Sequence, residues 1–426
     1  MKARISAITA KGKALGFALG ITLGILLAGN AAAFDFGIVA STEPGYYSPE
    51  GEGFFFNNSL TPWLSAPLGS KANLYLSLKA SLDYEKEEWD LPLLLELGRT
   101  EFTYRPSSTV SLALGRHAFG DSAGLIASGL FDGLSGSFAI GGARLGAGVY
   151  YTGLLYKGTS QILLSDRDKI LFSQVPLDYN DMDTYFGSRR LVAALSGEFP
   201  SLGARSSLAL DLIAQFDLNE SDPAMPGTFH SQYLEALYTV EAAPSVSLSL
   251  ALVGGLSELK ADGADTDPLF SYALKGGLDW KPPTALQDLF ALELIYASGD
   301  KDESLGAFAP LSGGISAGQI FAPGLASLVS IKGAYSARIQ ETLSAEAAAV
   351  YFLRTDTSTF TGDAELDPAK DSPALGMELL GCLIWAPDPD LRFTLNAGAF
   401  FPSLGGAFID DAKIRFKTSL ALIISL

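Results

Sequence analysis

Residues Asp411–Leu426 read DAKIRFKTSLALIISL. Ile414, Phe416, Leu420, Leu422, Ile424 and Leu426 fall on one parity, while Lys413, Arg415, Lys417, Ser419 and Ser425 fall on the other, with Ala421 and Ile423 as apolar exceptions. Successive side chains of an extended strand point to opposite faces, so this period of two makes a ribbon with one apolar and one charged side. A helix would need a period of 3.6. A last strand left unpaired is a sticky edge. Pairing it with the first strand of the chain would close a barrel and remove the edge, and that is the expectation.

The same alternation recurs upstream. In Lys71–Tyr84, Leu74, Leu76, Leu78, Ala80, Leu82 and Tyr84 share a side, with Asn73, Tyr75, Ser77, Lys79, Ser81 and Asp83 opposite. Comparable stretches of 10–15 residues run through the chain from Phe34–Thr42 to the C-terminus, about 18 in all, with 16 as the alternative count. Each is long enough for a tilted crossing of a hydrocarbon layer, which takes roughly 9–11 residues. Leu91–Arg105 breaks parity: Leu93, Leu95 and Leu97 share a side, but Phe102 and Tyr104 do not, which predicts a bulge near Gly98. Pro62 is expected to interrupt the second strand, and Glu43–Gly53 to be a loop.

Connections alternate in kind. PLGS (67–70), PSS (106–108), GG (141–142), PSLG (200–203) and PDPD (387–390) are short, whereas 157–188, 219–228, 260–268, 299–324, 356–372 and 402–410 are long and acidic. All short turns then fall at one end and all long loops at the other, as in barrels with periplasmic turns and extracellular loops. Tyr84, Trp280, Trp385 and Phe401 lie at strand ends on the apolar parity, where interface girdles belong.

The stretch at Asp411–Leu426 resembles the C-terminal recognition strand of bacterial outer-membrane proteins, with Leu426 standing where that family usually has Phe. The resemblance implies a single closed antiparallel all-β transmembrane barrel in the outer membrane of a diderm bacterium. It also implies handling by the barrel assembly machinery through the last strand. The N-terminus agrees. Lys2, Arg4, Lys11 and Lys13 precede the apolar Leu15–Ala28, and Ala31-Ala32-Ala33 offers a cleavage site, so 1–33 reads as a secretory signal peptide and 34–426 as the barrel.

Net charge is −18, with 47 acids against 29 bases, which argues against a nucleic-acid partner. After the leader no apolar run reaches the length of a transmembrane helix, yet mean hydropathy is +0.25. The lone Cys382 rules out an internal disulfide framework.

Function must come from the polar parity, where charge is tolerable only beside water or a partner. The candidate pore-lining bases are Lys79, Arg144, Arg190, Lys275, Lys332, Arg354, Arg392, Lys413, Arg415 and Lys417. The acids are Asp83, Asp211, Glu235, Glu293, Glu346 and Glu378. GRHAFGDSAGLIASGLFDGL (115–134) resembles a Gly-Arg … Phe-Asp-Gly segment of porin-like families that lies near the pore constriction. That resemblance implies Arg116 facing Asp121 or Asp132 across a narrow lumen. Asp178, Asn180, Asp181 and Asp183 cluster without the glycine and distal Glu of an EF-hand, so a solvated acidic loop is the expectation. His117 and His230 lack any hydrolase, phosphate-loop, zinc or dinucleotide motif around them, so neither an enzyme nor a cofactor is expected.

The expected function is passive passage of ions and small hydrophilic solutes with weak cation preference, with outer-membrane lipid as the surrounding partner. A homo-oligomer is compatible with this reading. The alternatives are a transporter of hydrophobic compounds, or an adhesin or structural barrel acting through its loops.

Overall fold

A computed structural model of the chain describes residues 34–48, 53–85, 87–174, 176–219, 228–260, 268–300, 306–357, 360, 363 and 365–426. The predicted leader, and parts of the acidic loops at 220–227, 261–267 and 301–305, lie outside the described residues.

The strands in chain order are β1 (Asp35–Ser48), β2 (Gly53–Leu68), β3 (Ala72–Glu85), β4 (Leu94–Tyr104), β5 (Val110–Gly120) and β6 (Ser128–Ile140). Then come β7 (Ala143–Tyr151), β8 (Arg190–Gly203), β9 (Ser206–Asp217), β10 (Thr228–Ala243), β11 (Val246–Lys260) and β12 (Leu269–Trp280). The ring is completed by β13 (Leu289–Ala297), β14 (Leu328–Gln340), β15 (Leu343–Arg354), β16 (Ala374–Asp388), β17 (Leu391–Phe401) and β18 (Arg415–Ser425). A two-residue stub, Glu88–Trp89, extends the outer end of β3 and brings the sheet to 19 members. Each strand pairs antiparallel with its sequence neighbours, and β18 pairs with β1, so eighteen strands close a barrel. The closing bonds reach the last residue: Leu426 N–H donates to Ile38 O at 2.9 Å and Ile38 N–H to Leu426 O at 2.8 Å.

Alternation fixes the faces. Leu112, Leu134, Leu195, Leu212, Leu234, Leu292 and Leu420 are exposed on the outside, whereas Ser77, Ser81, Arg190, Asp211, Glu235, Glu378 and Arg415 on the other parity are buried inside. Trp280 stacks on Phe290 and Trp385 on Phe393 near the turn end, and Tyr84 packs against Trp89 at the loop end, so aromatic belts rim the apolar band. The predicted bulge is present: Leu76 and Leu78 of β3 oppose Thr100 and Leu97 of β4, one residue more on the β4 side, around Gly98. The β6–β7 hairpin turns through Gly141 and Gly142 at φ +56° and +86°, values an L side chain resists.

Three expectations are corrected. Glu43–Ser48 continues β1, with Pro44 opposite Phe56, instead of forming a loop. Pro62 does not end β2: the β2–β3 ladder skips Thr61 and Pro62 and resumes in the same register at Trp63, since only the missing N–H is lost. Lys413 and Ile414 precede β18, so Lys413 is a loop residue.

Candidate functional site

Among the described residues, 121–127 and the later part of the β13–β14 connection turn inward at the outer end and are pinned there by the charged wall. Residues 121–127, between β5 and β6, are capped by Asp121, whose carboxylate accepts from the N–H groups of Leu125, Ile126 and Ala127 at 2.8, 2.9 and 2.6 Å. Their tip crosses to the wall, where Asp211 of β9 accepts from Ser122 N–H at 2.9 Å and Glu235 of β10 from Ala123 N–H at 2.8 Å. Lys275 of β12 donates to Ala123 O at 3.2 Å and lies 3.2 Å from Glu293 of β13.

Residues 306–327 of the β13–β14 connection are held in the same way. Glu378 of β16, fully buried, accepts from the backbone N–H of Gln319, Ile320 and Phe321 at 2.8, 3.1 and 2.9 Å. Tyr233 of β10 donates to Ala309 O at 2.5 Å. The inserted segments also bond each other, with Ser312 N–H donating to Ile126 O and Gly313 N–H to Gln161 O. Leu125, Ile126, Phe308, Leu311, Phe321 and Leu325 therefore form an apolar cluster with the inward-facing Ile213, Val350, Phe352 and Phe400. The outer half of the barrel is packed by its own loops.

Three further wall cations serve the same purpose. Arg190 of β8 binds Asp168 at 2.6 Å and Asp217 at 2.7 Å with all three side chains buried. Asp168 belongs to helix α2 (Asp166–Gln174), which follows α1 (Lys157–Ser160) in the connection 152–189. Arg415 of β18 is held by Asp363 and by Glu365 at 2.8 Å, and Arg354 of β15 donates to the carbonyls of Ser372 and Lys370. In the loops, Lys370 at 2.6 Å holds the Asp410 carboxyl below its usual range, and burial pushes the Lys157 ammonium down.

The turn-end half keeps water-facing charge. Lys79, Arg144, Glu198, Asp279, Glu346 and Arg392 are exposed on the inward parity, with Arg144 and Glu198 3.7 Å apart. Glu293 faces Lys332 across the β13–β14 ladder, where a cavity of about 180 Å³ also reaches Ser336 and Glu346. Lys417 lies 5.0 Å from the Phe55 ring, and Asp83 sits near the outer end of β3. Beneath loop 121–127 the wall opens into a larger cavity of about 260 Å³, lined by Ser111, Ser135, Ser137, Ser196, Tyr150 and Asp211.

Arg116 and Asp132 do not face each other across the lumen. They are directly opposed on the adjacent β5 and β6, on the parity of the lipid-facing Leu114 and Leu134, and pair at 2.8 Å. Their shared parity with those leucines was readable from the sequence. Asp178 and Asp181 cap local turns, accepting from Asn180 N–H and Asp183 N–H, and no cluster of three metal-ligating side chains occurs among the described residues. His117 meets Ser135 at 2.8 Å, with its second ring nitrogen on Gly115 O instead of a carboxylate.

No protein-family model matches the chain, and neither does any curated protein sequence. Solved structures do. It is similar to Pseudomonas aeruginosa OccK5 (OpdH), with TM-score 0.59 and 12% identity over 92% of this chain and 98% of that one. OpdK of the same organism, solved with vanillate, gives TM-score 0.59 and 13% identity over 92% and 98%. OpdL gives TM-score 0.57 and 15% identity over 93% and 98%. The fold is thus that of the porin-like β-barrels of the Gram-negative outer membrane.

Proposed function

We propose that this barrel is a diffusion channel for ions and small hydrophilic solutes, weakly preferring cations, whose bore is set by the inserted residues 121–127 and 306–325. The supporting observation is the approach of Asp121 of the inserted loop to Asp211 of the wall, with Lys275 on the same loop's backbone and itself held by Glu293. Arg190 and Arg415, which would oppose a negative field, are each cancelled by two carboxylates. A narrow passage bordered by more carboxylates than cations raises the local concentration of cations. Assembly by the machinery that folds outer-membrane barrels, through β18, belongs to the same proposal.

The test is the reversal potential of the purified protein in a planar bilayer under a potassium chloride gradient. A potential of the sign set by potassium supports the reading. One of the sign set by chloride, or faster passage of an anion such as vanillate than of a neutral solute of its size, overturns the cation preference.

A further inference from the structure

Between β4 and β5 the barrel wall has a seam that backbone pairing does not close. β5 pairs with β6 at eleven positions, Val110–Gly120, but with β4 at only five, Thr100–Tyr104 against Leu112–Arg116. Above Thr100 the two strands part. Gly115 shapes the fork: its φ is +104°, and a Cβ there would lie 2.2 Å from Thr100 O.

Side chains take the place of the missing ladder. The Tyr179 hydroxyl accepts from Leu95 N–H at 2.8 Å and donates to Leu93 O at 3.0 Å, mimicking the paired donor and acceptor of a neighbouring strand. Tyr185 donates to Leu95 O at 3.0 Å, and Arg116 to Leu97 O at 2.5 Å. Arg116 in turn holds Asp132 and Leu154 O, both at 2.8 Å. Both tyrosines belong to connection 152–189, where Tyr156, Tyr185 and Phe186 pack ring against ring.

The seam lies within the lipid-facing band. Leu95 and Leu97 are level with Ala80 and Leu78 of β3, below the Tyr84–Trp89 pair that marks the outer interface. Outside it stand Leu95, Leu97, Leu114 and Leu154, all exposed, and on the inner side of β4 Glu96 accepts from Thr159. In hydrocarbon an unpaired backbone group is costly, so these side chains are needed to keep the wall shut. Unlike a strand, the two tyrosine side chains can release these bonds by rotating while the rest of connection 152–189 stays fastened.

We propose that the β4–β5 seam is a lateral port through which an amphiphile, a molecule with an apolar chain and a polar head, exchanges between the outer leaflet and the lumen when Tyr179 and Tyr185 swing out. The leucines at its outer rim and the aromatic rings of the plug suit the chain; Glu96 and Thr159 border the inner, polar side. This is a second route, independent of axial diffusion.

The test compares the full-length protein with its Y179F/Y185F variant, which keeps the rings and removes the hydroxyls. Amide exchange at Leu95 reads the seam. Delivery of a fluorescent long-chain alkyl sulfonate, whose permanent charge prevents unaided crossing, to albumin trapped inside proteoliposomes reads the port. Faster exchange at Leu95, unchanged exchange in Thr100–Tyr104 and delivery raised about tenfold are expected from the loss of the bridging bonds. Faster exchange with unchanged delivery overturns the port, and unchanged exchange overturns the assignment of the hydroxyls as its latch. Tyr179→Phe alone decides the matter if the double variant does not fold. Bilayer conductance is recorded in parallel: conductance without amphiphile delivery rejects the port and leaves the channel reading standing, and delivery without conductance does the reverse.

Discussion

Arg190 and Asp168 lie 22 residues apart in the chain, yet Nη2 and Oδ2 meet at 2.6 Å with neither side chain exposed to solvent. One is a wall residue of β8 and the other belongs to a loop helix, so the contact fastens connection 152–189 to the barrel. Removing Arg190 leaves Asp168 buried without its counter-ion, with only Ser188 and the Ser165 N–H to satisfy it, at a cost of about 3–5 kcal/mol. Arg190→Ala is therefore expected to lower the urea midpoint of the barrel. It should also expose 152–189 to protease under native conditions. A variant that keeps the wild-type midpoint and resists protease would contradict this fastening.

Adjacent residues on opposite faces should respond differently to the same charge. Leu212 is 47% exposed toward lipid, whereas Asp211 is 6% exposed inside. Leu212→Arg places a guanidinium in the apolar band and should cost about 2–4 kcal/mol near mid-depth, measured by reversible unfolding in lipid vesicles. Arginine at an exposed inward position such as Glu346 should cost far less. Equal penalties would mean that the faces are misassigned.

Closure depends on the first strand having room. A Cβ on Gly37 would stand 2.5 Å from Leu426 O and 2.8 Å from the Trp63 ring. Gly37→Val should hinder pairing of β1 with β18 and reduce the yield of compact barrel on refolding into detergent, whereas Gly276→Val, with open space around its Cβ position, should refold normally. Equal yields would count against closure through this contact.

The carboxylates that meet at loop 121–127, Asp121 from the loop and Asp211 from β9, set the proposed selectivity. Asp211→Asn keeps an oxygen to accept from Ser122 N–H and removes one charge. The reversal potential is expected to move toward zero by several millivolts with little change in fold stability. Under the ionic screening of about 1 M salt the difference should largely vanish. An unchanged potential at low salt would remove Asp211 from the passage.

Much of the barrel is legible in the sequence because a strand between lipid and water must alternate, and Lys71–Tyr84 does so without exception. Pro44 and Pro62 concealed strand residues, since proline usually ends a strand and here costs only a donor. The wall charges were found, but most of their roles were not. Glu378 is satisfied by the N–H groups of residues 319–321, and backbone donors leave no mark in residue identity. Inward folding of 121–127 and 306–325 follows no period either. The unpaired upper edge of β4 was equally hidden, because Tyr179 and Tyr185 are more than eighty residues away from it in the chain.

The most direct test of a water-filled barrel narrowed by its own loops is unitary conductance in a planar bilayer. The wild-type chain is to be compared with a variant in which residues 306–325 are replaced by a short glycine-serine linker. Discrete ohmic steps are expected for the wild-type protein, and steps several times larger for the variant. Equal steps from both, or no steps from either, would contradict the account.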